Sequence, residues 1–332
     1  MRAFVTGGTG FVGKPFVRRL LADGWDVTLS TRNRAHAEAL GDVRVVEGDL
    51  ADAAAMARAA EGAEPFDVVF HLGAAMNYFG DPETLRVANV EATRNVLDLA
   101  IRTGSRKFVY ASSIEAVGTV AQVPAPHDAP CRPVSTYGAS KVLAEGVIRE
   151  KAAGRFPAVI LRIGNVYGTD QFSFLFDVAD AILTRNRLLE FLPVYGERRM
   201  QPVHNRDVTE GLLAAARAEV KGVETVTLAG EHASMEEMFR WSAEALGRTL
   251  HPRKPGRGDE LFLKVRHRYH RYRRQMDLIT YIMAGPGKRV HRAYDLEHTH
   301  RTIGFRPSVP LRQGIHDFLA WTIREGHVDP AA

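Results

Sequence analysis

The first 16 residues, MRAFVTGGTGFVGKPF, constrain the fold of this chain more than any other stretch. A strand-like run, RAFVT, breaks into Gly7, Gly8, Gly10 and Gly13, and a helical pattern resumes at once. Glycines at a strand-to-helix junction let the backbone turn tightly, approach a ligand without side chains in the way, and pack the helix close to the strand. The start of the helix adds unpaired N–H groups and the positive end of the peptide dipole, which together attract a phosphate. A tight turn alone also selects glycine, so it is the flanking strand and helix that make nucleotide binding the better reading.

The following residues repeat the alternation. DVTLST, VRVVEGD, FDVVFHLGAA, KFVYASS and AVILRIGNVYG read as strands, separated by helical stretches predicted at 11–23, from about 52, at about 82–103 and at 136–153. Strands that are apolar on both faces belong to a parallel sheet, because the crossover helices bury it from two sides. The expected fold is therefore α/β: a Rossmann-type doubly wound parallel sheet over residues 1–168, completed by elements around 201–230. Beyond residue 168 the alternation becomes irregular, with helices predicted at 172–185, 207–218, 235–246 and 311–324. Residues 169–332 read as a smaller C-terminal α/β substrate-binding cap carrying one or two strands, such as ETVTLAG.

Composition matters here for what it excludes. Cys131 is the only cysteine, which rules out an intrachain disulfide framework and a cysteine-based zinc cluster. Met1 leads directly into a core strand, and no run of about 18 apolar residues occurs, so a cytoplasmic protein is expected. The net charge of +5 is uneven: residues 251–292 hold 12 Lys and Arg against Asp259, Glu260 and Asp277, leaving the remainder acidic. Within that segment FLKVRHRYHRYRRQMDLITYIMAGPGKR interleaves cations with aromatics. It reads either as a solvated cap face or oligomer contact, or as a peripheral contact of residues 264–283 with an anionic membrane. A nucleic-acid surface is set aside because no binding module accompanies it. His291, His298 and His300 lack a carboxylate or cysteine framework and read as exposed histidines, so no metal is expected.

STYGASK places Tyr137 and Lys141 four residues apart, on one helix face. A free phenol titrates near ~10, and a neighbouring ammonium, reinforced by an oxidised nicotinamide, would draw it towards neutrality. Ser113 ends KFVYASS, 24 residues before Tyr137. The ordered set of glycine loop, strand-end serine and Tyr/Lys pair resembles the extended short-chain dehydrogenase/reductases, the NAD-dependent epimerase/dehydratase-like superfamily, across nearly the whole chain.

That resemblance implies catalysis by Ser113, Tyr137 and Lys141. Ser112 competes for the serine role, but the spacing to AVG at 116–118 favours Ser113. It also implies Gly7, Thr9, Gly10, Phe11, Val12 and Gly13 around the pyrophosphate, and Asp49 and Leu50 at the adenine. Leu72, Gly73 and Ala74 would run along the cofactor, with Asn89, Ile163, Tyr137 and Lys141 completing its site. His71 reads as a satisfied core histidine. At the end of the second strand Thr31 stands where NAD enzymes usually place a carboxylate, and Arg32 and Arg34 follow. Arginines there would clasp a 2′-phosphate, so NADP(H) is expected, with NAD the second choice.

Departures from the family pattern narrow the reaction. Ile114 and Glu115 stand where sugar dehydratases carry an acidic pair, and Met200, with Arg199 on the opposite face, where nucleotide-sugar enzymes commonly hold a diphosphate with arginine. Met76, Tyr78, Phe79 and Asn165 would wall an apolar pocket. The expected function is an NADP(H)-dependent oxidoreductase interconverting a ketone or aldehyde and an alcohol on an apolar small molecule. The alternatives are a nucleotide-sugar 4-epimerase and a non-catalytic NADPH-binding accessory subunit, which GERRMQPVHNRDV also resembles. The resemblance further implies a homodimer formed through the helices at 82–103 and 136–153.

Overall fold

The computed structural model describes residues 1–169, 174–184, 197–250 and 291–329. The basic stretch 264–283, and with it the membrane reading, lies outside the described residues.

The strands in chain order are β1 (Arg2–Thr6), β2 (Asp26–Thr31), β3 (Arg44–Glu47), β4 (Val68–His71), β5 (Phe108–Ser113), β6 (Ala158–Ile163), β7 (Val166–Tyr167), β8 (Arg199–Met200), β9 (Val203–His204), β10 (Val223–Leu228) and β11 (Ala233–Ser234). Seven of them form one parallel sheet in the order β10-β6-β5-β4-β1-β2-β3. Successive side chains of a strand point to opposite faces, and each face has its own core. On one side Phe16, Val17 and Leu20 of helix α1 (Gly13–Ala22), with Val208 and Leu212 of the helix Asn205–Arg217, cover Val5 and Leu161. On the other, Val96 and Leu97 meet Ala144 and Ile148 over Phe4, Val69 and Ile160.

Two sequence-based expectations change. ETVTLAG is not a cap strand: β10, which falls among the elements around 201–230 expected to complete the sheet, pairs with β6 and forms its edge. A short apolar run carries no record of the strand it will join, so its neighbour had to come from packing. The helix expected at 82–103 is also not uniform. It opens as an α-helical turn, Pro82–Leu85, passes through a π-helical stretch, Arg86–Glu91, and continues as the α-helix Ala92–Arg102. The wider turn brings Asn89 inward, where it is buried.

The cap has a separate core, built from Phe174, Leu175 and Val178 of the helix Phe174–Leu183, Met238 and Phe239 of Met235–Ala245, and Ile315 and Phe318 of Leu311–Arg324. Two further strand pairs, β8–β11 and β7–β9, form small sheets separate from the main one. Among the described residues no helix is long and apolar enough to cross a membrane. The chain winds outward in opposite directions from β1 and β4, which opens a crevice at their carboxyl ends.

Candidate active site

A cleft of about 890 Å³ follows these carboxyl ends, running from β2 across the glycine loop to the ends of β5 and β6. Gly7 has φ +70°, and a Cβ there would lie 2.5 Å from the Gly73 nitrogen; a Cβ at Gly13 would overlap the Gly7 carbonyl oxygen. The turn, the start of α1 and the loop after β4 therefore press together only because neither glycine has a side chain. Helix α1 begins at Val12 without a capping side chain. No side chain competes for the N–H groups of its first turn, of which Lys14 bonds the Gly10 carbonyl at 2.9 Å, and this suits a phosphate-binding helix start. Gly7, Thr9, Gly10, Phe11, Val12 and Gly13 all line this end of the cleft.

Beyond the loop, Thr31, Arg32 and Asp49 with Leu50 line the far end, and Leu72, Gly73, Ala74 and Ile163 line the middle. Arg32 is exposed and has no hydrogen bond or ion pair to another described residue. Arg34 is not brought to the wall: it pairs with Glu38 at 3.5 Å and Glu47 at 3.4 Å. Asn33 and His36, which sequence reasoning passed over, line the cleft beside Arg32 instead. Asn89 stands behind the wall. Its Oδ1 accepts from the Ala75 N–H at 2.7 Å, and its Nδ2 donates to the Ala75 carbonyl at 3.0 Å and to Ser140 Oγ at 2.9 Å. It clamps the loop after β4 to the helix Thr136–Ala152 and does not line the cofactor cleft.

Ser113, Tyr137 and Lys141 converge on the cleft. Ser135 caps the helix Thr136–Ala152 by accepting from the Gly138 N–H at 2.9 Å, and a Cβ at Gly138 would overlap the Glu115 carbonyl. That close approach seats Tyr137 against the end of β5, near enough to Ser113 for the serine hydroxyl to lower the phenol. Ser112 is committed elsewhere, donating to Glu145 Oε1 at 2.7 Å in a buried network with Arg162.

The electrostatics differ from the sequence-based expectation. Lys141 Nζ donates to Tyr110 OH at 3.1 Å and to the Ala111 carbonyl at 2.8 Å, and lies 5.7 Å from the Tyr137 ring centre. Burial, then the Glu115 carboxylate, push the Tyr137 phenol up, while the Ser113 bond opposes them. In the protein alone the phenol is thus shifted upward, whereas the expected downward pull included an oxidised nicotinamide. Burial lowers Lys141 to about 7, opposed by Glu145. Desolvation exceeds the charge effects because both side chains are almost wholly shielded from water.

Glu115 is the main residue that sequence reasoning left without a role. It lines the cleft, its Oε1 pairs with Arg292 at 3.0 Å, and Ser135 Oγ donates to its Oε2 at 3.3 Å. The available signal was a single carboxylate in the otherwise apolar IEAVG. Met76, Tyr78 and Asn165 line the cleft, and Tyr78 meets Tyr137 edge-on at 5.9 Å. Phe79 packs into the cap core instead. The three histidines expected to be exposed are in fact partly buried and packed: His291 accepts from the Arg199 N–H at 3.0 Å, and His298 stacks on His127 at 4.0 Å. No group of three or more potential ligands gathers among the described residues.

The model of the NAD dependent epimerase/dehydratase family matches residues 3–229. The chain belongs to that family. The 4-hydroxy-2-methyl-3-oxo-4-farnesyl-3,4-dihydroquinoline-1-oxide ketoreductase of Stigmatella aurantiaca is 32% identical over 224 residues, covering 65% of this chain and 64% of the relative. UDP-glucose 4-epimerase of Streptomyces lividans is 32% identical over 64% of this chain and 70% of its own. The 3 beta-hydroxysteroid dehydrogenase type 7 of Mus musculus is 33% identical over 49% of this chain and 50% of its own. The chain thus spans less than two thirds of the ketoreductase and about half of the steroid dehydrogenase. The Bordetella bronchiseptica enzyme WbmG, solved in complex with NAD and UDP, shares the fold: TM-score 0.76 at 20% identity, over 99% of this chain and 96% of that one.

Proposed function

We propose that this protein is an NADP(H)-dependent oxidoreductase that interconverts a ketone or aldehyde and an alcohol on an apolar small molecule. The observation that carries the reading is the convergence of Ser113, Tyr137 and Lys141 in the cleft that the glycine loop opens. Bound there, a nicotinamide dinucleotide supplies or accepts the hydride. Gly7, Gly10 and Gly13, with the uncapped start of α1, hold its pyrophosphate, and Arg32 takes the 2′-phosphate. Ser113 Oγ holds the substrate oxygen in line. Tyr137 gives that oxygen a proton during reduction and recovers one during oxidation. A phenol held in its protonated form suits the donor role.

Three features favour a carbonyl substrate over a nucleotide sugar. Met200 is buried in the cap core, and Arg199 beside it pairs with Glu237 at 3.5 Å. Ile114, where a dehydratase acid would stand, is buried as well. The ketoreductase and steroid dehydrogenase relatives act, by their names, on apolar molecules. Val87 and Leu143, 38% and 55% exposed on the helices Arg86–Glu91 and Thr136–Ala152, support pairing with a second copy.

The test is NADPH oxidation against a panel of ketones and sterols, with Tyr137→Phe beside the wild type. The variant should lose about 10²-fold or more in kcat. Unchanged turnover would overturn the mechanism, and NADPH binding with no turnover in either protein would favour the accessory-subunit alternative. Interconversion of a UDP-sugar without net cofactor consumption would favour the epimerase.

A further inference from the structure

The mechanism above leaves a buried row of polar side chains behind Lys141 unexplained. Thr6, His71 and Tyr110 are register partners on the adjacent strands β1, β4 and β5. They lie side by side across the sheet under the helix that carries Lys141. All three are essentially inaccessible to water, as is Thr93, so each donor and acceptor must find a partner within the protein.

Counting protons fixes the direction of every bond. Thr93 has one hydroxyl proton, which goes to the Asn89 carbonyl at 2.6 Å. At its 2.9 Å bond with His71 Nε2 it can only accept, so Nε2 carries the imidazole proton. His71 Nδ1 is then the acceptor for the Thr6 hydroxyl at 2.7 Å. With its proton used there, Thr6 Oγ1 accepts from the Gly73 N–H at 3.1 Å, in the loop that lines the cofactor cleft. At the other end the charged form of Lys141 can only donate, and it does so to Tyr110 OH. The Tyr110 proton must then go elsewhere, and the Thr93 oxygen, which acts on the phenol from beside it, is the acceptor assigned to it here. The His71 and Tyr110 rings also pack together, 5.4 Å between centres at 32°.

We propose that His71, Thr93 and Tyr110 are positioning residues for Lys141: His71, held as the Nε2–H tautomer, and Thr93 orient the Tyr110 hydroxyl so that its oxygen always faces the lysine as an acceptor. Two of the three ammonium N–H groups are thereby committed to Tyr110 and Ala111 on β5, on a side chain that lines the cleft. The inference rests on the proposed role of Lys141 beside Tyr137. It extends that role to side chains that touch neither substrate nor cofactor. The ionisable groups facing Lys141 are Tyr137 and Glu145 on its own helix, Tyr110 from β5 and His71 from β4.

The experiment is a titration of the Lys141 ammonium by NMR in the full chain carrying labelled lysine, with Lys141→Met for assignment and the pH profile of kcat alongside. Tyr110→Phe keeps the ring packing and removes the acceptor; Thr93→Val keeps the shape and removes the oxygen that orients Tyr110. The Lys141 titration should move down by about one pH unit in Tyr110→Phe, since loss of a bond to the charged form disfavours it. It should move the same way in Thr93→Val and return to the wild-type position in Thr93→Ser. The double variant should move no further than Tyr110→Phe alone, as members of one network are not additive. An unmoved titration in Tyr110→Phe, or shifts that simply add, would overturn the proposal; should Tyr110→Phe not fold, the contrast between Thr93→Val and Thr93→Ser decides alone. Because the titration needs no turnover, it stands apart from the Tyr137→Phe assay that tests the oxidoreductase reading.

Discussion

Mild acid should destabilise this protein through His71 before most of its carboxylates are titrated. The ring has no exposed surface, and both nitrogens are bonded to threonine hydroxyls. Burial, and after it the charge of Lys141, lower the imidazole from 6.5 to about 3. The folded-state value is depressed, so the contribution to stability is fully present above about pH 6.5 and is lost as the pH falls towards about 3. In that window the unfolded chain takes up a proton that the folded chain refuses, which costs about 1.4 kcal/mol per pH unit. Between pH 7 and pH 5 the loss comes to about 2 kcal/mol, a sizeable share of a typical total of ~5–15 kcal/mol. Guanidinium unfolding at pH 7, 6 and 5 would measure it in the wild type and in His71→Gln. The glutamine amide can donate and accept but does not titrate. The wild type should lose about 2 kcal/mol more than the variant over this range. Equal pH dependence in the two proteins would refute the claim that the buried imidazole is the cause.

Arg32→Ala should weaken NADPH binding by about tenfold or more and leave NADH unchanged, because only the 2′-phosphate meets the guanidinium. Fluorescence titration with both coenzymes would check this, and a larger effect on NADH would reverse the cofactor assignment. Gly13→Ala should weaken binding of either dinucleotide by at least about tenfold, since the new Cβ would overlap the Gly7 carbonyl and spread the loop. Arg162→Met takes from Glu145 the two bonds that the guanidinium makes at 3.0 and 2.8 Å in the interior and leaves it Ser112 and the half-exposed Arg149. The expected loss is about 3–5 kcal/mol in chemical unfolding, and it should shrink when Glu145→Gln is added.

Much of this molecule is written in short-range patterns. The glycine loop identified a βα junction because φ > 0 at Gly7 and the close approach at Gly13 are demands that residue type alone satisfies. Tyr137 and Lys141 fall on one helical face by the 3.6-residue period, and Ser113 ends a strand whose apolar run is unmistakable. What eluded the sequence depends on segments that meet only after folding. The pairing of β10 with β6 is one case, and the capture of Arg34 by Glu38 and Glu47 is another. The Glu115–Arg292 ion pair joins residues from opposite ends of the chain.

The protonation of Tyr137 and Lys141 belongs to the same class. Four-residue spacing brings a phenol and an ammonium to one side of a helix, but spacing carries no information about water. Only the packed structure shows that burial is the largest influence on both, raising the Tyr137 phenol and lowering Lys141 to about 7. Local sequence therefore determined which groups meet at this site, whereas tertiary packing decided their charge, because desolvation is set by everything that surrounds a side chain and not by its neighbours along the chain.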